Sequence, residues 1–278
     1  MTMIELLDLA DAIRAAEGNA KREAAAMAAA SADTRKQYTD AQVAYAEFAA
    51  IDRMYNTVRA DARRASALLE AATPQARADL LYVLEERDLL DAAMRCRELR
   101  LAYLRDHPEQ IPALRTYFAM GNVADFINCH AIAQDPRRVA RGRNATVPFL
   151  LFKRQKEMCS YIWRTYRAGK HGCIPKSREV GATATSVNFV ASMALFHPGF
   201  VAILGSALER DIDNGAAESL FSKIRDFLGA VPEQFAGGYT LEKCSTNMRI
   251  IIPGTGATII GQAGDNIGRG KRGSMVLL

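Results

Sequence analysis

At 278 residues, with 49% apolar and 24% charged side chains, the chain is long enough for two packed cores, and its balance excludes a collagen-like or wholly disordered polymer. No apolar run reaches the ~18 residues of a membrane span, and Met1-Thr-Met-Ile-Glu lacks the basic flank of a secretory leader, so the expected location is the cytoplasm, with no membrane partner. The net charge of +5 is unevenly divided: residues 1–115 hold 16 Lys and Arg against 19 Asp and Glu, net −3, while residues 116–278 hold 20 against 12, net +8, so a polyanionic partner belongs to the second part.

The first segment, 1–115, is rich in Ala, Glu, Lys and Arg and has a single glycine, Gly18. Apolar positions at Ala44, Phe48, Ile51, Tyr55, Val58, Ala62, Ala65, Leu69 and Ala72 keep a spacing of four and three, which predicts one helical seam. Thr73-Pro74 breaks it, and a second helix is expected from Gln75 to Arg105 with Leu80, Leu84, Leu90, Met94, Leu101 and Leu104 along one face. Together they predict an antiparallel α-helical hairpin, an arm with either a packing or a partner-docking role.

A second segment, 116–278, follows the prolines at 108 and 112 and holds the other 18 glycines. A short helix from about Leu114 leads into Phe126-Ile-Asn and Asp135-Pro-Arg. The basic stretch Arg137 to Arg143 and the run Pro148-Phe-Leu-Leu-Phe-Lys-Arg-Gln155 come next. An amide such as Gln155, upstream of a phosphate loop, offers one acceptor and two donors, which can meet the edge of adenine; Phe152, Tyr161 and Trp163 are candidates to stack on the base.

Lys176-Ser-Arg-Glu-Val-Gly-Ala-Thr183 matches the pattern G-x-x-x-x-G-K-[ST] at Gly181 and Thr183, with lysine in the first glycine's place and Ala182 in the lysine's. Such a loop needs a tight turn, inward N–H groups, a helix N-terminus, a mobile cation and a hydroxyl for Mg²⁺. Gly181, the following helix, Lys176 and Thr183 supply these. Gly172 to Pro175 is expected to end a strand, Ala182 to Phe196 to form a buried helix, Phe200 to Leu204 a strand, and Ala207 to Leu228 a helix. Met248 to Pro253 and Ala257 to Gly261 flank a glycine turn as a β-hairpin, and Met275 to Leu278 reads as a buried strand after the basic loop Arg269-Gly-Lys271-Arg272. This order predicts an α/β fold with a mainly parallel sheet.

In these motifs the segment Val123 to Leu278 resembles the large terminase subunit of tailed bacteriophages, the ATPase that packages DNA into the procapsid. The resemblance rests on Phe126-Ile-Asn with Asp135-Pro-Arg137, on Pro148 to Gln155, on Lys176 to Thr183, whose lysine stands at the first position as in many members, and on the ending Gly268-Arg-Gly-Lys-Arg-Gly-Ser-Met-Val-Leu-Leu278. It implies an incomplete P-loop (ASCE-type) ATPase domain over 116–278, with ATP and Mg²⁺ as cofactors. Gln155 would read adenine, Lys176 would neutralise β and γ phosphate charge, Arg178 would act on the γ-phosphate or on a neighbouring subunit's nucleotide, Gly181 to Thr183 would cradle phosphate, and Thr183 would hold the metal. Double-stranded DNA, the portal protein, the small terminase subunit and further copies in a ring are the implied partners, in the host cytoplasm and transiently at the procapsid vertex. Arg269, Lys271 and Arg272 are the candidate DNA or subunit contact. Members carry Asp-Glu directly after the strand equivalent to Met275 to Leu278, then a nuclease domain. Neither is in this sequence, so an N-terminal part without hydrolysis of its own is expected, since Glu179, Asp211, Asp213 and Asp265 are poorly placed as substitutes. A helicase-like ATPase and a non-enzymatic adaptor with a vestigial loop are the alternatives.

Overall fold

A computed structural model describes every residue except Met1, Glu179 and Lys271, and describes Ala62, Arg63 and Asn266 by backbone only. The chain divides into two compact units, one up to Gly121 and one from Asn122, a little beyond the expected boundary.

The first unit is helical: α1 (Met3–Ala15), α2 (Ala20–Ala29), α3 (Ala32–Phe48), α4 (Ala50–Ala60), α5 (Ala62–Ala71), α6 (Pro74–Leu84), α7 (Leu89–Asp106) and α8 (Ile111–Ala119). Alternating breaks and caps, rather than two long helices, organise it, which corrects the expected hairpin. The first seam is cut at Ala49 and again at Asp61, whose carboxylate accepts from Arg64 N at 3.3 Å. The second is cut before Asp88, which caps α7 by accepting from Leu90 N at 2.9 Å and Asp91 N at 3.3 Å. Thr73 does cap α6, with Pro74 in its first turn, as expected. Tyr55, Leu80, Val83, Ala92 and Cys96 form one core between α4, α6 and α7, while Leu101 of the expected stripe is exposed. Arg100 of α7 pairs with Asp52 of α4. A second core forms between α3 and α8, where Tyr45 stacks on Tyr117 with ring centroids 4.0 Å apart and Phe48 meets Phe118 edge-on.

The second unit is α/β. Its elements are α9 (Val123–His130), β1 (Ile132–Gln134), β2 (Thr146–Pro148), α10 (Lys153–Arg167), α11 (Ala182–Phe196), β3 (Val201–Ser206), α12 (Glu209–Ile212), α13 (Leu220–Ala230), α14 (Glu233–Ala236), α15 (Leu241–Cys244), β4 (Ser245–Thr246), β5 (Arg249–Ile252), β6 (Ala257–Ala263) and β7 (Met275–Leu277). β1 and β2 pair by themselves; the main sheet has five strands in the order β4-β5-β6-β3-β7. β3 is parallel to β6 and to β7, whereas β5–β6 and β4–β5 are antiparallel, so the sheet is mixed rather than mainly parallel.

The expected hairpin is β5–β6, with Ile250 opposite Ile259. The single helix expected over 207–228 is two, because the carboxamide of Asn214 accepts from Ala216 N in a turn and Ser219 starts α13 afresh by capping Ser222 N. Gly172 to Pro175 is not a strand: the Cys173 N–H donates to the Tyr161 hydroxyl at 3.1 Å, and Pro175 has no N–H to give a ladder. β7 pairs on one side with β3 and leaves Val276 47% exposed, so it is an edge strand here and not the buried run that its composition suggests.

Among the described residues of α11, thirteen of fifteen are buried, and the helix packs against α9, α13 and the sheet. Phe196 of α11, Phe227 of α13 and Phe235 of α14 each meet Phe126 of α9 edge-on. Cys96 and Cys159 are buried and their thiols are pushed up to about 12, first by desolvation, so they serve packing rather than nucleophilic chemistry. Among the described residues no helix is long and apolar enough to cross a membrane.

Candidate functional site

The site starts from the entry to α10. Phe152 precedes the helix, and Gln155 in its first turn accepts from Phe152 N through Oε1 at 2.8 Å, meeting one of the N–H groups that a helix start leaves over. The other end of the same amide donates from Nε2 to Val180 O at 3.0 Å. Gln155 is buried, so both bonds form out of bulk water and tie the Lys176–Thr183 stretch to α10.

Gly181 follows at φ +69°, a left-handed turn that begins α11. A Cβ placed there would lie 2.6 Å from Gln155 Nε2, so glycine is demanded both by the backbone and by the amide beside it. The first helical bond of α11 is Thr185 N to Gly181 O at 2.9 Å, and the Thr185 hydroxyl also donates to Gly181 O at 3.0 Å. The N–H groups of Ala182, Thr183 and Ala184 precede that bond and form the positive end of a long, buried helix.

Arg154, Gln155, Met158, Ile174, Pro175, Lys176, Ser177, Val180 and Ala182 enclose a cleft of about 350 Å³. Three of the expected site residues, Gln155, Lys176 and Ala182, therefore share one cleft, and Gly181 and Thr183 adjoin it along the chain. Arg178 is exposed and not part of the lining. Thr183 is exposed at the start of α11. Trp163 is 2% exposed and belongs to the core beside Tyr166 and His197, so it does not stack on a ligand, whereas Phe152 is 74% exposed. The Tyr161 hydroxyl is engaged with Cys173 N.

A four-residue turn reverses the chain between α11 and β3, which sets the Gly181 end of α11 toward the carboxyl ends of the parallel strands. Ligands of α/β sheets gather at that edge. The basic loop instead leads into the amino end of β7, where Ser274 N donates to Val201 O at 2.7 Å. Arg269 and Arg272 are exposed there, and Lys271 lies outside the described residues, as does Glu179.

Among the described residues no three His, Cys, Asp or Glu side chains gather as a metal site. Lys176 and Ala182, the first residue of α11, line one cleft, so a side-chain cation and a helix N-terminus lie beside it, chemistry that suits an anion more than a bare cation. Thr183 offers one hydroxyl ligand for a phosphate-bound Mg²⁺.

Of the acids weighed from the sequence, Asp213 is committed to an ion pair, whereas Asp211 and Asp265 are exposed. Asp213 is held well below the usual carboxylate range, first by hydrogen bonds from Arg225, whose two terminal nitrogens each lie 2.7 Å from its carboxylate oxygens, and further by Met248 N at 2.8 Å. Asp211 sits near the Ser206 hydroxyl at 3.5 Å. Sequence reasoning missed the Asp213–Arg225 pair, and also the Gln155–Val180 bond; no short motif marks either.

No family model, curated protein or solved structure matches the chain.

Proposed function

We propose that this chain is the nucleotide-binding part of an ATP-driven DNA-packaging motor of the large-terminase type. The observation that carries the reading is the cleft shared by Gln155, Lys176 and Ala182 at the start of α11. Lys176 neutralises phosphate charge, the first-turn N–H groups of α11 donate to the phosphate oxygens, Thr183 gives its hydroxyl to Mg²⁺, and the Gln155 amide, on leaving Val180 O, reads the base. Bound Mg²⁺-ATP supplies the phosphoryl group; this chain's residues bind and orient it.

Double-stranded DNA, a portal protein, a small terminase subunit and neighbouring copies in a ring are partners in this reading, with the host cytoplasm and the procapsid vertex as its place. Arg178, exposed beside the cleft, is free to face a neighbouring copy's nucleotide. Of the two competing readings, the absence of a strand over Gly172–Pro175 favours the adaptor whose loop no longer binds nucleotide over the helicase-like ATPase.

The test is titration of a fluorescent ATP analogue with Mg²⁺ against wild-type protein and Lys176→Ala. Losing a charge-assisted phosphate contact costs ~1.5–3 kcal/mol, so the variant is expected to bind about tenfold to a hundredfold more weakly. No measurable affinity in the wild type returns the adaptor reading; equal affinity of the two removes Lys176 as the phosphate ligand.

A further inference from the structure

The outward face of α10 carries a line of cations that the nucleotide cleft does not use. At 100° per residue, Lys153, Lys156, Arg164 and Arg167 fall within about 80° of the helix circumference and extend over about 21 Å. Ser160 lies at the middle of this line and is exposed. The neighbouring face, Gln155, Cys159 and Trp163, centred about 100° around the helix from this line, is buried, and α10 packs against α9 and α11. Lys153, Lys156 and Arg164 are exposed and make no ion pair among the described residues. The one carboxylate at the stripe's border, Glu157, is taken up by Arg154 at 2.7 Å.

Three like charges on one rigid helix repel one another, and among the described residues no carboxylate pairs with them to offset that cost. A polyanion laid along the stripe would. The stripe holds no large apolar side chain to enter a bilayer, because the apolar face of α10 is spent in the core. Nor does it hold the succession of aromatics on which unpaired bases stack; Phe152 stands alone at its end. What remains is attraction to a regular array of backbone phosphates whose bases are turned inward.

We infer that the Lys153–Lys156–Arg164 face of α10 is the surface that contacts the phosphate backbone of duplex DNA. The identity of the polyanion rests on the motor reading, whereas the location of the surface does not. The same helix places Arg154, Gln155 and Met158 in the cleft, so one rigid element touches both ligands.

The experiment is fluorescence anisotropy of a labelled random-sequence duplex against the full chain over a range of salt. Each phosphate contact contributes about 0.9 to the slope of log K on log salt, so Lys153→Ala, Lys156→Ala and Arg164→Ala combined should lower the slope by about 2.7. Ser160→Arg, which adds a cation to the middle of the stripe and needs no loss of fold to act, should raise it by about 0.9. The proposal is overturned by an unchanged slope in the triple variant, by loss of slope from Arg269→Ala with Arg272→Ala instead, or by absence of salt-dependent duplex binding in the wild type. Vesicles of phosphatidylcholine and phosphatidylserine that capture the wild type more tightly than the duplex does, with the triple variant released, overturn it too. An intact DNA slope with no ATP affinity would sink the nucleotide reading alone; the reverse would sink only this one.

Discussion

Substituting Gly181 with alanine tests whether the candidate loop is held in its shape by the contact with Gln155. Alanine at φ +69° costs ~1–2 kcal/mol for the left-handed backbone, less ~0.5 kcal/mol regained from a stiffer unfolded chain. The new methyl would stand 2.6 Å from Gln155 Nε2, so the amide must turn away and give up its bond to Val180 O, a further ~1 kcal/mol. The sum is ~2 kcal/mol, or about 4–8 °C in the midpoint of the second unit at ~2–4 °C per kcal/mol. Gln155→Ala alone loses the bonds to both Phe152 N and Val180 O, again ~2 kcal/mol. Because the two substitutions share the Val180 bond and the clash, the double variant should fall short of additivity by ~1 kcal/mol. Urea unfolding followed by circular dichroism measures all three. Strict additivity, or a Gly181→Ala protein as stable as the wild type, would refute the idea that Gln155 and Gly181 form one device.

The remaining expectations concern groups away from the cleft. His197, packed against Trp163, is pushed down to about 4, first by burial and then by Arg167, and its Nε2 has no hydrogen-bond partner. Its folded value lies below the unfolded 6.5, so the neutral ring favours the fold fully above pH 6.5, and that contribution, roughly 3 kcal/mol as an upper bound, is lost as pH falls from 6.5 toward 4. His197→Phe should flatten the stability profile over that window; an identical acid limb in the variant would assign the loss elsewhere. Asp213→Ala should cost about 3–5 kcal/mol, since it leaves Arg225, 19% exposed at its side chain, without its buried partner and frees Met248 N; a loss under 1 kcal/mol in urea unfolding would show the pair to be dispensable. Restoring a lysine next to the loop's last glycine, Ala182→Lys in the Lys176→Ala background, should recover part of the ATP affinity in the same titration if both positions reach the same phosphates.

What the sequence made legible follows from how local its cause is. α11 was legible because an apolar run as long as Ala182–Phe196 exceeds any ordinary strand, and β5–β6 because a glycine turn separates two β-branched runs. The two-helix arm failed because a spacing of four and three survives a one-residue break: Ala49 and Asp61 interrupt the helix without disturbing the side on which Phe48 and Tyr55 lie, while capping carboxylates at Asp61 and Asp88 decide where each helix restarts. The strand before the loop failed for the opposite reason. Its apolar content suggested a ladder, yet the donor that a ladder needs at Cys173 is taken by the Tyr161 hydroxyl, twelve residues away in the chain. The candidate site falls between these cases. The residue types of Gln155, Lys176, Gly181 and Thr183 raise the expectation of a nucleotide site from sequence, but their closeness depends on one hydrogen bond, Gln155 Nε2 to Val180 O, and one left-handed glycine, neither of which has a periodic trace. Among the described residues between α10 and α11 there is no regular ladder, so these two features carry much of the loop's shape. A ligand that draws the Gln155 amide away would therefore loosen the very segment that holds Lys176.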